Sequence, residues 1–294
     1  MAALFKNSDR GQVVNFQAIR SDWYEGNELM PRLIGKVVRG ERRFIFRGFP
    51  TPWLPLFIYF DLDWGEACTP KTYVPIFSDL QEGEIFALCS SAKKNGQLRL
   101  LVETTVTLDP LMADCLYILD NRLPIEVAEC FEDPIEDTRS LRITNWQSYG
   151  RPSVRRLERE IGTFRRGSEA CVMLPCARKR PYFKSRTHKT IYAKLRAQGV
   201  NIDQIDKIVL TSIGVLPEVF WKKHEVQVYD TGVPDIYRLL RLTRQFFKVN
   251  RYDIVYDTLN FPPYSDILRV VAGEGLIAEL IKMKFGRRTS FYVR

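Results

Sequence analysis

The feature that most constrains this chain is an alternation of apolar runs and amphipathic stretches that begins near residue 170. "ACVMLP" is a short apolar run ending at Pro175. "SRTHKTIYAKLRAQG" then reads as a helix, with Ser185 as its N-cap and Gly199 just past its end. "DKIVLTS" reads as a second strand, "VQVYD" as a third and "YDIVYD" as a fourth. The helix "DIYRLLRLTRQFFKVN" precedes the fourth strand. "SDILRVVAGEGLIAELIKMKFG" is expected to form a long final helix, interrupted where its glycines fall. Strands that alternate with helices predict an α/β domain built on an open, mostly parallel sheet flanked by helices.

The first half differs in character. "RLIGKVV", "RRFIFRGF", "LFIYFDL" and "YVPIF" are β-branched or aromatic runs bounded by Gly, Pro and Asp, as short strands are. "GEIFALCSSAKKNGQLRLLVETTV" reads as a hairpin turning at "KKNG". "ADCLYIL" and "IEVAECF" fit a strand or a helix equally well by period. The expectation is a β-rich domain over residues 1–145, of unassigned role, and an α/β domain over 146–294. The acidic stretch Glu126–Thr138 and "SYGRPS" mark the boundary. A chain of 294 residues with 45% hydrophobic content can bury cores for both.

Several classes are excluded or disfavoured. No apolar run reaches the length of a membrane span, so no membrane partner is expected. The N-terminus "MAALFKNSDRG" lacks a signal pattern, and a cytoplasmic protein is expected. Six cysteines include no Cys-x-x-Cys pair, and there are only two histidines. Reduced thiols, no metal site and no cofactor follow as expectations. The net charge of +9 is concentrated: Arg151–Arg196 holds 14 Lys or Arg against three acidic residues, whereas Glu126–Thr138 holds six acidic residues and no basic one. That asymmetry points to a polyanion as partner, nucleic acid first.

Ligands of open parallel sheets bind beyond the carboxyl ends of the strands. There the sequence places Cys176, then Thr211 and Ser212, then Asp230, then Asp257. Cys176 is the nucleophile candidate, because cations and a helix N-terminus nearby favour a thiolate. The alternative is a small buried residue at a strand end. His188 has two readings: the third position of a capped helix, or a proton donor or phosphate contact. Asp230 and Asp257 are acid–base candidates, and Glu218 another. "GEG" at 273–275 lacks the following Gly-Lys-Ser/Thr of a phosphate loop.

"PCARKRPYFKSRTH" resembles the motif of the archaeosine synthase family: Pro-Cys, three residues, Lys-Pro-Tyr, two residues, Ser, two residues, His. Pro175, Cys176, Pro181, Tyr182, Ser185 and His188 match it, and Arg180 stands where the family has Lys. "VLTSIGVLPEVFW" and "VQVYDTG" resemble later family segments in the same order, so the resemblance covers about residues 170–260. It implies chemistry at the nitrile of 7-cyano-7-deazaguanine in a nucleic acid. The unrelated N-terminal half looks more like the bacterial relative found with DNA 7-deazaguanine modification systems, which hydrates that nitrile to an amide. On this resemblance the catalytic residues are Cys176 with Asp230 or His188. Tyr182 would stack on the base, and Ser185, Thr211, Ser212 and Glu218 would line the substrate. Arg178, Lys179, Arg180, Lys184 and Arg186 would hold phosphates. The implied partner is DNA carrying a modified guanine, with association with other DNA-modification proteins. Archaeosine-type amine transfer on tRNA ranks second, and a non-catalytic nucleic-acid-binding module third.

Overall fold

The computed structural model of the protein describes residues 12–15, 44–47, 49–50, 53–60, 67–68, 82–108, 110–131, 142–143, 146–230 and 234–283. The chain divides into two compact units: Met1–Glu136 with Gly150–Pro152, and Asp137–Tyr149 with Ser153–Arg294. Among the described residues no helix is long and apolar enough to cross a membrane.

In the first unit, β1 (Gln12–Asn15) pairs with β2 (Phe44–Arg47), and β3 (Phe49–Pro50) with β4 (Ala67–Cys68). Its described core, however, is helical. It consists of α1 (Leu54–Tyr59), α2 (Glu82–Lys94), α3 (Leu98–Thr105), α4 (Pro110–Arg122) and α5 (Ile125–Ala128). The strand expected at "LFIYFDL" and the hairpin expected around "KKNG" are therefore corrected. "RLIGKVV" and "YVPIF" lie outside the described residues.

The physical reason is a helical spacing hidden in short apolar runs. Ile85 and Cys89 are four apart and fully buried, as are Leu98 and Val102. Glu82 and Glu84 open α2 and Lys93 and Lys94 close it, matching the helix dipole. The Asn-Gly pair is a helix stop rather than a hairpin turn. Gly96, at φ +62°, donates its N–H to the Lys93 carbonyl (3.1 Å), and Gln97 donates to that of Ala92 (2.7 Å). Gly96→Ala is therefore expected to cost about 1 kcal/mol in urea denaturation, because the left-handed conformation penalises a Cβ.

Charge is also buried in this unit. Glu103 receives Arg99 Nε at 2.9 Å and Arg151 Nε and Nη2 at 2.6 Å each. Arg99 in turn makes a two-pronged contact with Asp120, at 2.8 and 2.6 Å. Two guanidinium groups thus face two carboxylates, and all four residues are at most 5% exposed. Gly150 packs so closely here that a Cβ would lie 2.3 Å from Asp120 Oδ2.

In the second unit, β5 (Arg142–Ile143) precedes α6 (Pro152–Thr163), β6 (Ala170–Pro175), α7 (Arg186–Ala197), β7 (Asp206–Thr211) and β8 (Gly214–Pro217). Next come α8 (His224–Val228), β9 (Tyr229–Asp230), α9 (Ile236–Val249), β10 (Ile254–Asp257), α10 (Tyr264–Gly273) and β11 (Glu279–Lys282). The main sheet runs β11-β10-β6-β7-β8. Its first four strands are parallel, and β8 is antiparallel to β7. The expected open, mostly parallel sheet flanked by helices is present.

Its strands read as continuous apolar runs because both faces are covered. Val172, Leu174, Val209 and Leu216 pack with Ile191 and Leu195 of α7 on one face. Cys171, Met173, Ile208 and Leu210 pack on the other with Leu239 and Phe247 of α9 and Leu268 and Val271 of α10.

Two expected elements take other forms. "VQVYD" is not a strand of this sheet: β10 pairs directly with β6, Val255 opposite Cys171, leaving no berth between them. The segment forms α8 and then the two residues of β9, which pair with β5. The expected long final helix stops at Gly273. Gly275, at φ +73°, turns the chain, and the remainder supplies β11 beside β10.

Candidate active site

From β6 the chain passes to β7 on one side, and β10 with β11 lies on the other. The strand order therefore reverses between β6 and β10, where open α/β sheets form a crevice at the carboxyl edge. Cys176 is the first residue beyond β6 and is only partly buried.

Three aromatic residues close around this sulfur. Cys176 Sγ lies 3.1 Å from Tyr229 Oη and 3.6 Å from Tyr182 Oη. The two phenolic oxygens are themselves hydrogen-bonded. Thr211 and Ser212 follow at the end of β7, and burial, with Cys176 nearby, pushes the hydroxyl of Tyr264, at the start of α10, above its usual pKa. Burial first, then Tyr229 and Cys176, push the Tyr182 hydroxyl well above its usual pKa; burial and Cys176 do the same for Tyr229. Both remain phenols at neutral pH, able to donate to a sulfur anion or to charge developing beside it.

Arg180 completes the group. Its guanidinium sits 3.8 Å over the Tyr229 ring and donates to the Tyr229 carbonyl. A partly desolvated cation–π contact of this kind contributes about 1–2 kcal/mol. Arg180 therefore faces inward and fixes Tyr229, whereas Arg178, Lys179, Lys184 and Arg186 are exposed. On the far side, Arg238 lies 4.0 Å over the Tyr149 ring, pairs with Glu158, and donates to the Ser212 and Ile213 carbonyls at 3.4 and 3.2 Å. It pins the β7–β8 turn against the crevice.

The expected site residues separate into three groups. Cys176, Tyr182, Arg180, Thr211 and Ser212 come together. Tyr182 does so by its hydroxyl alone: its ring is fully buried against Trp221 and His188, so it cannot stack on a base. Ser185 and His188 support the site from below. The Ser185 hydroxyl accepts the His188 backbone N–H at 3.4 Å, capping α7. His188 is fully buried, and its Nε2–H donates to the Pro175 carbonyl at 2.8 Å, holding the strand end that carries Cys176.

Glu218 is placed elsewhere. Gly214, at φ +141°, lets β8 reverse, and Pro217 pairs with Ile208. That return carries Glu218 back along β7, where it pairs with Lys207 at 2.9 Å near the strand's amino end. Asp257 is committed to Leu259 N–H and Lys282, each at 2.8 Å. Asp230 ends β9, and its side chain lies outside the described residues. Tyr229, Tyr264, Tyr149 and Arg238 were not singled out from sequence. The signals for Tyr229 were its place at the end of an expected strand and within "VQVYDTG", a segment that resembles the family's Tyr-Asp strand end. Among the described residues, no cluster of three His, Cys, Asp or Glu side chains could hold a metal ion.

Burial lowers the His188 pKa from 6.5, outweighing its contacts with the Pro175 and Tyr182 backbone. The unfolded chain then binds a proton that the folded chain resists, so stability is expected to fall as pH drops below 6.5. Urea midpoints at pH 7.5 and 5.5 check this, as laboratory conditions spanning about one unit on either side of the histidine range. The difference should shrink in His188→Gln.

Residues 154–256, from α6 to β10, match a family described as a domain of unknown function, DUF5591. The match contains Cys176, Arg180, Tyr182, Thr211 and Tyr229 but neither β5 nor Tyr264. A solved structure with partial likeness is the crystal structure of AF0587, a protein of unknown function. It is 20% identical, with a TM-score of 0.34, over 44% of this chain and 43% of that one. No curated protein matches the chain.

Proposed function

We propose that the protein hydrates the nitrile of 7-cyano-7-deazaguanine in DNA, giving the 7-amido base, by covalent catalysis at Cys176. The observation that carries the reading is the sulfur held by two protonated phenols, 3.1 and 3.6 Å away, at the crevice of the sheet. The choice of nitrile rests on the resemblance of residues 175–188 to the archaeosine synthase motif, and that of DNA on the unrelated N-terminal half, which looks more like the bacterial relative.

The Cys176 thiolate adds to the nitrile carbon, and the Tyr229 hydroxyl gives its proton to the nitrile nitrogen. The products are a neutral thioimidate and a phenolate, which Tyr182 hydrogen-bonds. Water then adds to the imidate carbon while its second proton reaches the nitrogen through the tyrosine pair. The C–S bond breaks, the new hydroxyl becomes the amide carbonyl, and its proton restores the Tyr229 phenol. The sum is one nitrile and one water converted to one amide.

The test is to incubate the protein with DNA carrying the cyano base, digest to nucleosides and weigh them. A gain of one water is expected. No change on this DNA would remove the proposal, and a larger gain confined to tRNA would assign amine transfer instead. Tyr229→Phe is expected to lower turnover about 10²-fold, the usual scale of a lost general acid. An unchanged rate would place the proton donor elsewhere.

A further inference from the structure

The turn Tyr182–Lys184 sends consecutive side chains in opposite directions. Tyr182 is 0% exposed, and its hydroxyl faces Cys176; Phe183 is 41% exposed. A single exposed phenylalanine is ordinary on a protein surface. Phe183 differs in its company. Lys222 Nζ approaches its ring to 5.9 Å from a distant part of the chain. Arg178, Lys179, Lys184, Arg186 and Lys189 are exposed around it, with no acidic residue between Arg178 and Lys189. None of these five enters an ion pair among the described residues. An apolar ring set among unpaired cations is complementary to a strand that offers base faces and phosphates together. A duplex offers phosphates but keeps its base faces stacked, and chemistry on a base requires that it leave the stack.

We infer that this face binds an unpaired DNA strand, stacking a base on Phe183 beside the Cys176 crevice while Lys184 and Lys222 hold flanking phosphates. The inference rests on the reading of the protein as a DNA-modifying enzyme, and it moves base stacking from Tyr182 to Phe183.

The experiment is fluorescence anisotropy with a labelled single-stranded oligodeoxynucleotide, its duplex and an RNA strand of the same sequence, over a salt series. The wild type should prefer the DNA strand. Phe183→Ala should weaken strand binding about ten-fold with little change in salt slope, and Phe183→Trp should restore it. Lys184→Ala and Lys222→Ala should each lower the slope of log affinity against log salt by about 0.7. Equal binding of duplex and strand, preference for RNA, absence of strand binding, or a Phe183→Ala variant that binds like wild type would each overturn the inference. Cys176→Ser separates it from the enzymatic reading. Undiminished hydration by Cys176→Ser would sink the chemistry and leave the surface standing. Wild-type binding by Phe183→Ala alongside an inactive Cys176→Ser would do the reverse.

Discussion

Cys176→Ser is expected to lower nitrile hydration by at least roughly 10⁴-fold, the scale seen when a covalent nucleophile is removed. A serine hydroxyl stays protonated where a thiol readily ionises, and no imidazole or carboxylate among the described residues is bonded to position 176 to activate it. The phenols of Tyr182 and Tyr229 stay protonated and can donate to a sulfur anion, but they make poor bases for a hydroxyl. The substitution is nearly isosteric at a partly buried position, so fold and DNA affinity should survive. Acid quenching during turnover, followed by intact-mass measurement, should reveal a protein–base adduct with wild type and none with the variant. Activity within ten-fold of wild type would sink the thioimidate route.

The largest expected effect on stability lies in the other unit. Glu103→Ala should cost about 3–5 kcal/mol, because it takes the buried carboxylate from Arg151 and leaves two guanidinium groups facing the one carboxylate of Asp120. That is comparable to the whole stability of a marginal domain. Loss of the first unit's helical signal at low urea, or its absence outright, is the readout. A variant within about 1 kcal/mol of wild type would show that water reaches the cluster. Replacing Arg99, Glu103, Asp120 and Arg151 together by apolar residues should be far milder than the single change, since both guanidinium groups and both carboxylates are then removed at once. The pH dependence has a definite sign. Burial raises the Glu103 pKa, but Arg151 and Arg99 lower it further, so the net value lies below 4.5. Its stabilisation is present above that pH and is lost as pH falls through the depressed value.

How much of this was legible in the sequence depended on how local each determinant is. The strands Ala170–Pro175 and Asp206–Thr211 and the helix capped by Ser185 declare themselves through apolar runs, a cap and a terminal glycine. Each is a property of fewer than about 15 neighbouring residues, the scale of an ordinary helix. "KKNG" misleads because Asn-Gly serves hairpins and helix ends alike, and only the i, i+4 pair Ile85 and Cys89 separates them. Cys176 could be read because it follows its strand directly. Glu218 could not, since Gly214 reverses the chain and removes it from the edge it seemed to share with Thr211. Tyr229 was hidden for a deeper reason. Its partner across the sulfur, Tyr182, lies 47 positions away, and the strand that holds its backbone comes from the segment joining the two units.

That segment changes where the unit around Cys176 begins. The family match begins at residue 154, yet Arg142 and Ile143 lie opposite Tyr229 and Asp230, and Tyr149 carries the Arg238 contact. A fragment excised at the edge of the match would keep Cys176 and lose the strand paired with Tyr229. A piece that keeps this pairing must start upstream of Arg142, so the apparent linker belongs to the α/β unit it introduces.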